Sequence, residues 1–199
     1  MSKFIEAIKK NREDVIKPVG VLLAICIIIP LALSVTNKVT AKKIAELEAA
    51  NSKKNMQSLI DADNFEECEN GEIIYYAAIN GGKTSAYIFT ESSKGYGGDV
   101  SVMTAIKPDG TVAGVAILDV SGETPGLGQN AAKESFFSQY IGLKKGVSVL
   151  KNGAKAENNE VDAVTGATIT STAVTRAVNK ALDDFEKVKG ATVGEEKIF

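Results

Sequence analysis

The side chains best suited to chemistry are gathered in one segment near the C-terminus. Residues 161–172 read VDAVTGATITST, which places one aspartate, a small Gly-Ala pair and five hydroxyl side chains ahead of a predicted helix. The unpaired N–H groups and the dipole of a helix N-terminus favour an anion, so this segment indicates a phosphate-binding site. Spacing alone leaves an equal alternative open, in which Thr170 or Ser171 caps the helix and the other hydroxyls are solvated.

A second candidate segment, residues 123–128, has the sequence ETPGLG. Pro125-Gly126 fits the two central positions of a type II turn, and Gly128 allows a close approach of the backbone to another group. A carboxylate and a hydroxyl beside two glycines could hydrogen-bond a heteroaromatic ring. A purely structural loop is the alternative that turn chemistry leaves open.

A third candidate is the glycine-rich segment 95–98, GYGG, which precedes a predicted hairpin. Its glycines let the backbone come close to a flat ligand, and Tyr96 is available to pack on a ring. Because glycine-rich turns between strands are common, a simple loop is the alternative.

The composition of the 199-residue chain excludes several kinds of active site. It contains no histidine, so a Ser-His-Asp triad, a Cys-His pair and an imidazole-bound zinc ion are impossible. Its two cysteines, Cys26 and Cys68, are too few to hold an iron–sulfur cluster. With a net charge of −2 and no basic stripe, the chain is not expected to bind nucleic acid. We predict no catalytic residue and no metal ligand, so an organic cofactor must carry any redox chemistry.

The N-terminal part of the chain is predicted to cross a membrane once. Residues 18–35 form a run of eighteen residues without a charge, long enough for a helix that spans a bilayer. A cleaved signal peptide is the alternative. A short leader before a large folded domain favours export of that domain. The predicted division is a cytoplasmic leader over 1–17, a transmembrane helix over 18–36, a connector helix over 37–62 and an extracytoplasmic domain over 63–199.

The domain is predicted to be α+β, with antiparallel β-hairpins and flanking helices. Two β-rich runs flank Asn80-Gly81 and two more flank Pro108-Asp109-Gly110, so each pair indicates a hairpin. Partial alternation in the second pair predicts that both faces of its strands are buried. One helix is expected from Asn130 onward and another over about residues 171–185. Their apolar positions at helical spacing are, in the first, Ala132, Phe136, Phe137, Tyr140 and Ile141, and in the second, Val174, Val178, Leu182 and Phe185.

The C-terminal segment also carries a resemblance to a known family. Asp162, Thr165, Gly166, Ala167 and Thr168 match the D-x-x-(S/T)-G-A-T flavinylation motif of bacterial proteins that carry FMN through a phosphoester bond to threonine. Together with ETPGLG, GYGG and the N-terminal anchor, the motif resembles the G-subunit family of Rnf electron-transport complexes over essentially the whole chain. The C subunit of the Na⁺-translocating NADH:quinone reductase is a relative of that family. One departure is Ser121, which stands where a histidine is often found in the family.

The resemblance implies that Thr168 is the covalent FMN acceptor, with FAD as donor and a separate ApbE-type FMN transferase as catalyst. Asp162 and Thr165 would be recognition and structural parts of the motif, while Gly166 and Ala167 leave room for the phosphate and the modifying enzyme. The remaining residues implied to bind the cofactor are Glu123, Thr124, Leu127, Gly128, Tyr96 and Thr170.

The function implied by the resemblance is electron relay within a membrane-bound ferredoxin:NAD⁺ oxidoreductase that couples electron transfer to Na⁺ or H⁺ translocation. The chain would then be part of an enzyme complex, without substrate turnover of its own. It would contact membrane subunits A, D and E, in a complex that also contains subunits B and C, on the extracytoplasmic side of the cell membrane. The alternative is a membrane-anchored FMN-binding module of another extracytoplasmic reductase, or a sensor or assembly factor.

Overall fold

The computed structural model of the chain describes residues 2–150 and 159–189. The chain divides into two compact units, Met1–Asn51 and Ser52–Phe199. Helix α1 (Ser2–Leu59) contains a 26-residue apolar stretch, Ile16–Ala41, whose side chains are exposed. At 1.5 Å of rise per residue this stretch is about 39 Å long, more than the roughly 30 Å hydrocarbon core of a bilayer. The segment predicted to cross the membrane lies inside it.

The second unit is built on a five-stranded antiparallel sheet in which each strand pairs with the next along the chain. Both predicted hairpins are confirmed. The first strand was not predicted, because its central positions carry Glu66, Glu67 and Glu69, and it lies at an edge of the sheet where charged side chains are tolerated. The strands are β1 (Asn64–Asn70), β2 (Ile73–Asn80), β3 (Lys83–Lys94), β4 (Asp99–Ile106) and β5 (Val112–Asp119).

Both faces of the central strands are buried, as the partial alternation predicted. Along β4, Val102 belongs to the larger core and Met103 to a smaller one, because successive side chains point to opposite faces of a strand. The larger core is completed by helix α3 (Thr168–Val188), and the smaller one includes Met56 from the end of α1.

Helix α3 is the element that positions the candidate site. The four apolar residues predicted to share a face of this helix are all buried against the sheet. The helix begins at Thr168, three residues earlier than the apolar spacing indicated, so the threonine of the motif lies in its first turn.

The continuous helix predicted from Asn130 is wrong. The chain forms a 3₁₀ turn over Gly128–Ala132, one α-helical turn, α2 (Glu134–Phe137), and a second 3₁₀ turn over Ser138–Tyr140. Lys133 has extended backbone angles, φ −80° and ψ 140°, which interrupts the helix. As a result the expected apolar stripe is broken, and only Phe136 and Tyr140 of its members are buried.

Two short parallel strands, β6 (Ser148–Leu150) and β7 (Glu160–Asp162), complete the described fold. Strands of three residues are too short to leave a recognisable alternation in the sequence, so they were not predicted. The second strand ends at Asp162, the first residue of the motif, and therefore sets where the rest of the motif begins.

Candidate functional site

The three candidate segments, far apart in the sequence, line one cavity of about 480 Å³. This volume is in the range of sites that hold small organic ligands. Nine of the eleven predicted cofactor-binding residues lie in its wall. Ile169 also lines it and was not predicted. The lining residues are Tyr96, Glu123, Thr124, Leu127, Gly128, Gly166, Ala167, Thr168, Ile169 and Thr170.

Glu123 ties the three segments together. Its side chain is buried, with 2% of the residue exposed. One carboxylate oxygen, Oε1, accepts the backbone N–H of Gly97 at 2.9 Å, and the other, Oε2, accepts the hydroxyl of Thr170. Both carboxylate oxygens are thus engaged by the protein, so Glu123 acts as a clamp beneath the cavity.

The environment of Glu123 favours its ionised form. Burial raises the pKa of the carboxyl group. The hydrogen bonds from the Thr170 hydroxyl and from the backbone N–H groups of residues 96–98 lower it, and together they outweigh burial, so the pKa lies below its ordinary value. The clamp is therefore anionic at neutral pH.

The ETPGLG segment forms the predicted type II turn. Gly126 has a φ of +77°, the left-handed value required at the third position, and the Leu127 N–H donates to the Thr124 carbonyl at 3.2 Å. The Asn130 side-chain amide donates to the Gly126 carbonyl at 2.5 Å and fixes the turn from the following 3₁₀ segment. The turn presents the Leu127 side chain, 44% exposed, to the cavity.

Two glycines let the turn and the helix start approach each other. A Cβ at Gly128 would lie 2.7 Å from Glu123 Oε2 and 2.8 Å from Thr170 Oγ1, closer than atoms pack. Gly166 has a φ of +76°, and a Cβ there would lie 3.1 Å from Leu127 Cδ2. A side chain at position 128 would therefore force Glu123 and Thr170 apart.

The cavity has an apolar rim and a polar end. Tyr96 is 72% exposed and Ile169 54% exposed, although both are large and apolar, so with Leu127 they offer an unpartnered surface to a planar ring. Thr168, half-buried, lies in the first turn of α3, where N–H groups have no partner within the helix. That end suits a phosphate.

The alternative in which Thr170 or Ser171 caps the helix is wrong. The residue at the N-cap is Ala167, which provides no side-chain hydrogen bond. Thr170 donates to Glu123, and the Ser171 hydroxyl accepts the Val164 N–H at 2.9 Å and donates to the Ala167 carbonyl at 3.0 Å. The Thr170 and Ser171 hydroxyls therefore stabilise the site by hydrogen bonds within the protein.

Asp162 and Thr165 are not in the wall of this cavity. They line a second, more polar depression of about 330 Å³, together with Lys133 and Gln139. The motif thus presents Gly166, Ala167 and Thr168 to one cavity and its first residues to another.

Comparison with known proteins agrees with this geometry. Residues 95–183 match the FMN-binding domain family. The G subunit of the proton-translocating ferredoxin:NAD(+) oxidoreductase complex of Clostridium ljungdahlii is 39% identical over 166 residues, which cover 82% of this chain and 85% of the relative. The chain belongs to this G-subunit family. The Na(+)-translocating counterpart from Acetobacterium woodii is 31% identical over 188 residues, 84% of this chain and 90% of the relative.

The solved structures extend the likeness to the related quinone reductase. The crystal structure of the C subunit of the Na(+)-translocating NADH-quinone reductase from Parabacteroides distasonis superimposes with a TM-score of 0.53 at 26% identity. The match covers 60% of this chain and 64% of that structure, so the chain spans just under two thirds of it. Membership of the G-subunit family and the apolar stretch of α1 both indicate membrane anchoring.

The residues of this G-subunit family member fit FMN. The apolar rim formed by Tyr96, Leu127 and Ile169 suits an isoalloxazine ring, and the first turn of α3 suits its phosphate. FMN would supply the ability to accept and donate electrons. The protein would contribute the cavity, its polarity and the anionic clamp beneath it.

Proposed function

We propose that this chain is the FMN-carrying electron-relay subunit of an Rnf-type ferredoxin:NAD⁺ oxidoreductase, with the FMN joined to Thr168 through a phosphoester bond. The observation that carries the proposal is the position of Thr168: a half-buried hydroxyl in the first turn of α3, at the polar end of a cavity whose rim is apolar. The names of the two relatives support the same kind of complex.

The attachment is a substitution at phosphorus and involves no change of oxidation state. The Thr168 hydroxyl oxygen attacks the flavin-side phosphorus of FAD, the bond from that phosphorus to the bridging oxygen breaks, and AMP leaves with that oxygen. The hydroxyl proton passes to a base of an ApbE-type flavin transferase. The positive end of the α3 dipole stabilises the charge on the phosphate that remains.

The role of the remaining site residues follows from their contacts. Thr124, Leu127 and Gly128 would line the cofactor, and the buried Glu123–Thr170 pair would keep the cavity wall in place. A covalent tether prevents loss of the cofactor from a domain on the extracytoplasmic side, where it could not easily be replaced. Helix α1 would hold the domain beside the membrane subunits A, D and E, in a complex that also contains subunits B and C.

The acceptor is tested by in-gel flavin fluorescence of the full chain co-produced with a flavin transferase, followed by peptide mass analysis. Wild type and Thr168→Ser should both fluoresce after denaturing electrophoresis, because each keeps a hydroxyl at the position. Thr168→Ala should not. The matched control is Thr84→Ala, a half-buried threonine in β3 that does not line the cavity, which should fluoresce like wild type.

Two results would contradict the proposal. Covalent FMN on Thr168→Ala would remove the assignment of the acceptor. A tagged chain, solubilised from its native membrane, that brings no other integral-membrane redox subunit with it would favour an FMN module outside an Rnf complex.

A further inference from the structure

We propose that Gln139 is a positioning residue for the acceptor threonine, an inference that rests on the proposed attachment of FMN to Thr168. The segment to be positioned is residues 162–167, here called the acceptor strap, which connects β7 to the first turn of α3. It leads directly into Thr168, so a flavin transferase that approaches the acceptor also meets this segment.

The Gln139 side-chain amide holds the start of the acceptor strap by two hydrogen bonds. Its Oε1 accepts the Asp162 N–H at 2.8 Å, and its Nε2 donates to the Asp162 carbonyl at 3.4 Å. On the neighbouring strand, the Leu150 carbonyl accepts the Ala163 N–H at 3.3 Å. The Gln139 amide thus pairs with the backbone of Asp162 as a neighbouring strand would. Strand β6 also pairs with Asp162.

Gln139 is itself held rigidly to the helix that begins with Thr168. It lies in the 3₁₀ turn Ser138–Tyr140, and the next residue, Tyr140, is fully buried. The Tyr140 hydroxyl lies 2.7 Å from the Thr175 hydroxyl, two helical turns into α3. The contacts of Gln139 and Tyr140 therefore link the start of the acceptor strap to α3.

The other end of the acceptor strap is held by α3 directly. Ser171 accepts the Val164 N–H and donates to the Ala167 carbonyl, and the Ala167 N–H donates to the Val164 carbonyl at 2.9 Å. Without Gln139, the strap keeps these bonds but loses both bonds to Asp162 on that side. Among the described residues, the start of the strap is then held by β6 alone, and the segment that leads into Thr168 is less firmly fixed.

The experiment follows covalent flavin incorporation into the full detergent-solubilised chain by purified transferase with FAD, with thermal unfolding measured on the same samples. Gln139→Leu removes both hydrogen bonds at similar size, and a displacement of about 1 Å lowers such a rate by roughly tenfold to a hundredfold. We expect kcat to fall at least about tenfold with a smaller change in KM for the chain. Gln139→Glu keeps the acceptor for the Asp162 N–H, but its second carboxylate oxygen is repelled by the Asp162 carbonyl. Its rate of flavin incorporation should therefore lie between those of wild type and Gln139→Leu.

The matched control is Asp109→Ala. It also removes two hydrogen bonds to one residue, Thr111, at 3.0 Å and 2.6 Å, in a turn whose Gly110 lies beside Phe185 at the far end of α3. It should lower the unfolding temperature but incorporate flavin at the wild-type rate. If Gln139 contributed only to stability, variants at the two positions with similar losses of unfolding temperature would be labelled at similar rates.

The outcomes separate this inference from the proposed function. Wild type that takes up no flavin from an active transferase would overturn both. Wild type that is labelled, with Gln139→Leu labelled equally fast or slowed no more than Asp109→Ala, would overturn the role of Gln139 alone. If Gln139→Leu does not fold, Gln139→Glu decides: incorporation at the wild-type rate would again overturn it.

Discussion

Truncation of Glu123 is the perturbation that most directly tests the architecture of the site. Among the donors that Glu123→Ala leaves without an acceptor are the Gly97 N–H and the Thr170 hydroxyl. A buried donor without a partner costs about 1–3 kcal/mol. Thr170 is 1% exposed, so its cost is near the upper end, whereas Gly97 is exposed and water can replace the lost acceptor. We expect a loss of about 3 kcal/mol in the free energy of unfolding, or about 10 °C in melting temperature.

The assay is thermal and chemical unfolding of the full chain in detergent, followed by tyrosine fluorescence because the chain has no tryptophan. Glu123→Gln is the matched control. Its amide keeps an acceptor for the Gly97 N–H, and the Thr170 hydroxyl can turn to accept from the amide, so the loss should be about 1 kcal/mol. If Glu123→Ala and Glu123→Gln were equally stable, the stabilising role of the Glu123 hydrogen bonds would be refuted.

The pH dependence gives a second, independent measure of the clamp. Because the pKa of Glu123 is lower in the folded chain than its ordinary value of 4.5, ionisation stabilises the folded state fully above that value. That stabilisation is lost as the pH falls through the folded-state pKa. The stability difference between wild type and Glu123→Gln should therefore be constant from about pH 6 to about pH 8 and shrink below about pH 4.5. A difference that grew in acid would contradict the sign of the shift.

Two further predictions concern packing and hydrogen bonding around the site. Gly128→Ala should lower stability by about 1–3 kcal/mol, because its Cβ would contact Glu123 and Thr170 at under 3 Å. The φ of Gly128 is not positive, so backbone strain does not add to this cost. A variant as stable as wild type would show that Glu123 and Thr170 can move aside. The Thr175 hydroxyl donates to a backbone carbonyl, so in the pair with Tyr140 it is the Tyr140 hydroxyl that donates. Tyr140→Phe should therefore cost about 1 kcal/mol of stability, and Thr175→Val should cost more, because it leaves the buried Tyr140 hydroxyl without an acceptor. Denaturant-induced unfolding of both variants checks this order.

The elements that could be predicted from sequence are those whose pattern is local and long. The two hairpins have turn residues between β-rich runs, and α3 has four apolar positions on one face, so sterics and burial leave little choice. The helix expected from Asn130 failed because apolar spacing does not report backbone angles, and the extended Lys133 breaks the helix where the spacing continues. Strand β1 was hidden because an edge strand needs no apolar alternation.

The site could be predicted as a set of residues more readily than as a set of roles. Short motifs identified the wall of the cavity because glycines, hydroxyls and a turn are local features. The inward orientation of Glu123 could not be predicted, because its partners lie 26 and 47 residues away along the chain. The role of Gln139 could not be predicted from the sequence, because a single glutamine in a polar segment follows no recognisable pattern. Its contact with β7 is evident only in the folded chain.

The segment that matches the flavinylation motif is continuous in sequence but divided in space, so some of its residues do not reach the first cavity. β7 ends at Asp162, and the positive φ of Gly166 then turns the chain into α3. Asp162 offers its backbone to Gln139 and β6, while its side chain lies at a separate polar depression with Thr165. If Thr168 is the acceptor as proposed, the first half of the motif lies at Gln139 and the polar depression, and the second half provides the hydroxyl and the room around it.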